Sequence, residues 1–305
     1  MGINDTDNII NALPTIAAKA MKVKLSRGTG YARIRDKDAE RLIKSTLGDE
    51  GQTVTKAVFQ DKACLIYQRA QLAAEMYAYH MKHTLPHSDD GWRVLPNTLY
   101  LEYSSTMSNY ASSLTVMEQN IMGNYDSMVA TDMAQRNAHL SSQGKAPVAA
   151  LSDYPTKDHM ARLLYVRYYF EPISTSNDFR YEMSPTDKLR LNDLVADIEA
   201  NARQDLYARM LQPMQAFVNR MTSFKGEKGE RLHATIVTNI NDMLTHLPKL
   251  DLNGDPVLAN MLAEVKKVIQ PYVFNPSVLK EDPVVRDDAK AKIEALMQKY
   301  AGYVA

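Results

Sequence analysis

"YLEYSSTMSNYASSLTVMEQNIMGNYDSM", residues 100–128, decides the class of fold open to this 305-residue chain. Tyr100, Met107, Leu114, Ile121 and Met128 recur every seven residues, and Tyr103, Tyr110 and Met117 fill the second seam position of the same repeat. Apolar residues at this spacing line one face of an α-helix, and four repeats suffice for two helices to pack knobs into holes. No proline falls between residues 97 and 140, so the spacing predicts one long helix there. The positions between the seam residues are Ser, Asn, Thr and Gln more than charge. Few ion pairs would then select a partner strand, so an antiparallel hairpin with a neighbouring helix is expected rather than a free dimeric coil.

The neighbour is upstream. "TKAVFQDKACLIYQRAQLAAEMYAYHMKHT", residues 55–84, reads as an uninterrupted helix with Leu65, Leu72, Met76 and Met81 along one side. Pro86, Gly91 and Pro96 break the chain before the long helix. Downstream, "SPTDKLRLNDL" opens a second long helix, with Ser184 as cap, Pro185 at the first position and Asp187 in the first turn. Its apolar residues run from Leu191 to Phe224, 33 positions in nine steps, close to 3.67 residues per turn. That spacing fits a nearly straight helix, with a kink expected near Arg209 because Pro213 removes one backbone bond. Further helices are predicted over 231–246, 256–273 and 285–303.

Near the start, "KVKLSRGTGYARIR" alternates apolar and basic residues on both sides of "RGTG". This predicts a β-hairpin, followed by a short helix capped by Asp36 and ended by Gly48. The expected fold is therefore mainly α: a long antiparallel helical hairpin plus a C-terminal helical bundle, with a small N-terminal β-hairpin. The expected segments are 1–50, 51–145 and 146–305.

Between the two long helices lies "LLYVRYYFEPISTSNDFRYEMSP", residues 163–185, with six aromatic residues. A base-stacking surface would interleave its rings with Lys or Arg, but only Arg167 and Arg180 intervene. The segment reads instead as a helix stopped by Pro172 and an extended junction, with Tyr168, Tyr169 and Phe179 as a candidate rim for a protein partner.

The chain holds 36 basic and 36 acidic residues, which argues against a protein that coats nucleic acid generally. Its single cysteine, Cys64, excludes an internal disulfide and a multi-cysteine zinc site. No basic segment followed by an apolar core opens the chain, and no apolar run approaches the ~20 residues of a membrane span, so a cytoplasmic location is expected, the host cytoplasm for a phage-encoded protein.

His80, His83 and His87, followed by Asp89 and Asp90, are metal-ligand residue types, but Pro86 interrupts any fixed spacing and they read as a solvated helix end. "LDLNGDPVL" fails as a calcium loop, because Pro256 stands where glycine is needed and Leu262 where Glu is needed. A turn at Asn253-Gly254 with Asp255 capping the next helix fits better. There is no G-x-S-x-G, no H-E-x-x-H and no nucleophile placed beside a base. No catalytic residue, metal or cofactor is assigned, and a non-enzymatic protein is expected. The clearest binding signal is basic: Lys22, Lys24, Arg27, Arg33 and Arg35, with Tyr31, could follow a phosphate backbone. The alternative is a lysine-protected strand edge.

Three stretches carry a family resemblance. "MKVKLSRGTGYARIRDKDAERL", "YPTKDHMARLLYVRYYFEPIS" and "FKGEKGERLHATIVTNINDMLTHLPKLDLNGDPVLANML" resemble segments of a phage and bacterial family. Such proteins are typically encoded beside a MoxR-type AAA+ ATPase and a CobT-like protein with a von Willebrand factor A domain. The second stretch corresponds to a capped helix ending in an aromatic-proline strand. The tryptophan expected in the N-terminal hairpin of that family is absent here. The resemblance implies an adaptor or scaffold working with an ATPase system, and it brings no catalytic residues. A nucleic-acid-binding accessory protein using residues 19–37 is the alternative.

Overall fold

A computed structural model describes residues 15–30, 33–48, 53–87, 90–146, 149–175, 183–227 and 229–303. In chain order the elements begin with α1 (Thr15–Lys19), β1 (Ala20–Thr29), β2 (Arg33–Arg35), α2 (Lys37–Leu47), β3 (Thr55–Ala57) and α3 (Leu65–His83). There follow β4 (Leu85–Pro86), β5 (Trp92–Pro96), α4 (Tyr100–Ser142), α5 (Lys157–Leu163) and β6 (Leu164–Pro172). The C-terminal part is helical: α6 (Pro185–Ser223), α7 (Thr235–Leu250), α8 (Pro256–Val273), α9 (Val278–Glu281) and α10 (Pro283–Tyr300). The fold is mainly α, as expected. It divides into two discontinuous units rather than consecutive segments: Met1–Lys24 with His83–Leu101 and Phe170–Ala305, and Leu25–Lys82 with Glu102–Tyr169.

The second of these units is built on the antiparallel helical hairpin. His80 of α3 meets Tyr103 of α4, and Arg69 meets Glu118, so the helices run in opposite directions. Along α4 the buried residues Tyr103, Met107, Leu114 and Ile121 follow the heptad. Beyond Ile121 the buried positions become Tyr125, Val129 and Asp132, and Met128 is only half-buried. A straight helix drifts by about 20° per heptad, so a strict seven-residue seam rotates out of the interface.

The upstream helix begins at Leu65 and not at Thr55. Residues 55–57 form β3, paired antiparallel with β2 (Arg33 opposite Ala57, Arg35 opposite Thr55). Val58 and Phe59 then enter a core with Ile66, Ile121 and Tyr154. Side chains of α4 fix this segment. The Asp132 carboxylate accepts the Gln60 N–H at 2.8 Å, and Arg136 donates to the carbonyls of Ala57 and Val58. These bonds hold the backbone extended where its helical periodicity predicted otherwise.

The expected N-terminal β-hairpin is replaced by non-local pairing. β1 and β2 do not pair with each other; the four-stranded sheet has the order β4-β5-β1-β6. β1 lies antiparallel to β5, with Met21 opposite Leu95 and Val23 opposite Arg93. "RGTG" is therefore no hairpin turn. Gly28 lies within β1, where an added Cβ would sit 2.0 Å from the Leu163 carbonyl oxygen and 2.8 Å from the Tyr165 ring. Glycine is required there by close backbone approach.

The aromatic stretch is also a strand and not a helix reaching Pro172. From Leu164 to Phe170 its residues alternate between more and less buried, with Tyr165, Arg167 and Tyr169 exposed. Aromatic and β-branched side chains pack well on a pleated face, and β6 is an edge strand, where Pro172 removes no essential ladder bond.

In the first unit α6 packs on α7 and α10, and α8 packs on both of those. Three of these helices start alike. Ser184, Asp255 and Asp282 cap them through side-chain oxygens, and Pro185, Pro256 and Pro283 follow at the first helical position. The core stripe of α6 is the one the spacing predicts, including Ile198, Ala202, Leu206, Met210, Met214, Phe217 and Met221. It starts at Val195, while Leu194 is exposed. α7 runs to Leu250 through Pro248, four residues past the predicted end, because Leu247 and Leu250 are both buried.

Gly28→Ala is expected to destabilise the protein by at least about 2 kcal/mol, since the added methyl meets backbone that cannot rotate away. Denaturant melts followed by circular dichroism check this. A variant as stable as the parent would mean the strands can separate freely at Gly28.

Candidate functional site

A cleft lies in the unit that contains α6, α7 and α8. About 370 Å³ of space, continuous with solvent, is lined by apolar residues including Ile16, Leu85, Leu206 and Leu258, and by Glu199, Arg203, Tyr207, Asp251 and Asp255. The acidic residues bond to the chain itself. Glu199 accepts the Ile16 N–H at 3.0 Å. Asp251 accepts the N–H groups of Asn253, Gly254 and Asp255. Asp255 accepts those of Val257 and Leu258, so the reading of "LNGDP" as a turn and helix cap holds. The Tyr207 hydroxyl donates to Asp255 at 2.9 Å, and the Lys19 ammonium donates to the Leu252 carbonyl. Each of these bonds closes a loop or caps a helix.

The basic residues singled out from sequence do not converge. Lys22 and Lys24 lie on one face of β1, where Lys24 is the cross-strand partner of Trp92. Their ammonium groups sit 4.7 Å and 5.7 Å from the Trp92 ring centre, and Lys22 also pairs with Glu171 at 2.8 Å. Arg27 falls on the opposite alternation, with its guanidinium 4.5 Å from the Tyr77 ring. Arg33 donates twice to Thr55, and Arg35 pairs with Glu40 at 2.8 Å. Tyr31 lies outside the described residues. Of the aromatic rim, Tyr168 is half-buried and Tyr169 exposed, while Phe179 lies outside the described residues.

His80 is buried and shares a 2.6 Å hydrogen bond with the Tyr103 hydroxyl. His83 stands edge-on to His246, with ring centres 5.4 Å apart. Burial, followed by Lys22, pushes the His87 pKa below its usual value, against the pull of Asp90. Among the described residues no three His, Cys, Asp or Glu side chains are grouped to hold a metal, and no helix is long and apolar enough to cross a membrane.

Sequence reasoning missed the buried ions. Arg69 is fully buried and donates to Glu118 and to the carbonyls of Gly28 and Tyr165. Asp132 is buried between Arg136 at 2.6 Å and the Tyr154 hydroxyl at 2.7 Å. The i,i+4 spacing of Asp132 and Arg136 was visible, but such pairs are ordinary on exposed helix faces. No family model matches the sequence, and neither a curated protein nor a solved structure does.

Three tyrosines tie these networks to pH. Burial pushes the Tyr125 hydroxyl up to about 12, and burial with a carboxylate acceptor pushes Tyr154 and Tyr207 higher still. A folded pKa above the unfolded value of about 10 gives stability that is full below pH 10 and is lost as the pH rises through the folded values. Tyrosine absorbance at 295 nm is expected to show these hydroxyls titrating late, together with loss of helical circular dichroism. Titration of every tyrosine near pH 10 with the fold intact would contradict the burial described.

Proposed function

We propose that this chain is a non-enzymatic helical scaffold or adaptor that acts by binding other proteins. The observation that carries the reading is a pair of large apolar side chains standing in solvent at one end of two packed helices. Phe274, at the end of α8, is 88% exposed, and Val284, at the start of α10, is 78% exposed. The helices run antiparallel: Lys299 of α10 pairs with Glu264 of α8, and Tyr272 lies within electrostatic reach of Asp288. Both residues therefore fall at the same end. Single exposed apolar residues are ordinary, but two this exposed at the same end of two packed helices suit a contact surface. The carboxylates of the cleft beside α6 and α8 support the same reading, since they brace loops and helix starts. The resemblance of three sequence segments to the phage and bacterial family names the partners: a MoxR-type AAA+ ATPase and the CobT-like von Willebrand factor A protein. The setting is the cytoplasm.

Titration of the purified chain against such an ATPase, with Phe274→Ser/Val284→Ser as comparison, tests this. The double variant is expected to bind at least about tenfold more weakly, with an unchanged melting temperature because neither side chain is packed. Equal binding by both proteins, or by neither, would count against the reading.

A second reading rests on Trp92. Two ammonium groups beside an indole on an antiparallel strand pair can hold a phosphate backbone and stack a base. If the chain is instead a nucleic-acid-binding accessory protein, Lys22→Ala/Lys24→Ala/Trp92→Ala abolishes its salt-sensitive retention of single-stranded DNA. Retention that survives the triple change would remove this strand pair as the site.

A further inference from the structure

β6 sends alternate side chains to its two sides. Leu164 is buried and Val166, Tyr168 and Phe170 are half-buried, while Tyr165, Arg167 and Tyr169 stand exposed between them. In the linear sequence this run looks like aromatic residues with few cations among them. The strand sorts it differently: its outer side reads ring, guanidinium, ring, at steps of about 6.6 Å, with the two rings about 13 Å apart. All three residues belong to the unit built on the helical hairpin.

The fold seats these side chains without using their outer surfaces. Tyr165 is 36% exposed, and its ring lies against the backbone of Gly28, where an added Cβ would come within 2.8 Å of it. The Arg167 guanidinium stands over the same ring, 5.7 Å from its centre, and meets no carboxylate among the described residues. Tyr169 is 47% exposed and meets no other ring or cation among the described residues. A solvated strand face ordinarily carries polar residues, whereas here two rings turn to water on either side of a cation. The next residue on this side of the strand, Glu171, is paired with Lys22 at 2.8 Å.

We propose that this side of β6 binds single-stranded nucleic acid, with bases stacked on Tyr165 and Tyr169 and Arg167 on the phosphate between them. Every base offers a π-face, so an exposed ring binds it with little regard to sequence. In a duplex those faces are covered by neighbouring base pairs, so only splayed, unpaired bases reach the rings. A guanidinium without a carboxylate partner, midway between the rings, meets the phosphate chain that joins the bases. The interleaving of rings with a cation favours nucleic acid over a peptide, which a strand edge holds through its backbone. The proposal goes beyond the scaffold reading. It shares a class of ligand with the reading based on Trp92 but uses a different surface.

Fluorescence anisotropy of the full chain with labelled pyrimidine oligonucleotides of about 12 nucleotides tests this, one with deoxyribose and one with ribose. The tighter of the two names the source, and it is expected to bind better than a duplex of the same length. Tyr169→Ser is expected to weaken binding at least about fivefold. Tyr169→Trp keeps a ring, so a loss that appears in Tyr169→Ser and is absent from Tyr169→Trp is a loss of stacking and not of the fold. Arg167→Ala is expected to lower the slope of log affinity against log salt by about one. No binding to either oligonucleotide, equal binding of the duplex, or binding that neither Tyr165→Ser nor Tyr169→Ser weakens overturns the proposal. If Lys22→Ala/Lys24→Ala/Trp92→Ala alone loses the oligonucleotide, the Trp92 strand pair is the site and this proposal fails. If the tyrosine changes alone lose it, the strand pair fails and this proposal stands.

Discussion

One buried guanidinium organises the unit built on the helical hairpin. Arg69 has no solvent exposure, and its donors reach Glu118 on α4 and the carbonyls of Gly28 and Tyr165. A charge removed from water is tolerated only when its hydrogen-bonding capacity is met. Here the acceptors come from three distant parts of the chain, so the residue can be buried only if β1, β6 and α4 are all in place around α3. Gly28 is the steric counterpart of the same constraint, because it lets β1 approach Leu163 and Tyr165 closely enough to present its carbonyl.

The helices were legible from sequence because their determinants are local. Heptad spacing, the caps at Ser184 and Asp255, and the prolines that follow them all act within a few residues. The errors share a different origin. β1 finds its partner about seventy residues away in β5, and no local pattern encodes which strand that is. "RGTG" carries a turn composition, yet its first glycine answers a steric demand from residues 163 and 165. Residues 55–64 have helical periodicity, but bonds from Asp132 and Arg136 override it.

The basic cluster shows the same limit at the level of the site. Seven cations within nineteen residues look like one patch in sequence. A strand sends alternate side chains to opposite faces, so Lys22 and Lys24 reach Trp92 while Arg27 reaches Tyr77. Carboxylates complete the separation, with Glu171 against Lys22 and Glu40 against Arg35. The burial of Arg69 and Asp132 gave no sequence signal, since nothing in a single sequence distinguishes a buried ion from a solvated one.

A double-mutant cycle on Arg69 and Glu118 tests the organising constraint most directly. Arg69→Met removes the buried charge, and Glu118→Gln removes its counter-charge. If the pair holds the strands to the helices as described, each single change lowers stability by several kcal/mol, about 3 for Arg69→Met, and the double change by at least about 1 kcal/mol less than the sum. Additive losses, or an Arg69→Met protein as stable as the parent, would contradict the account.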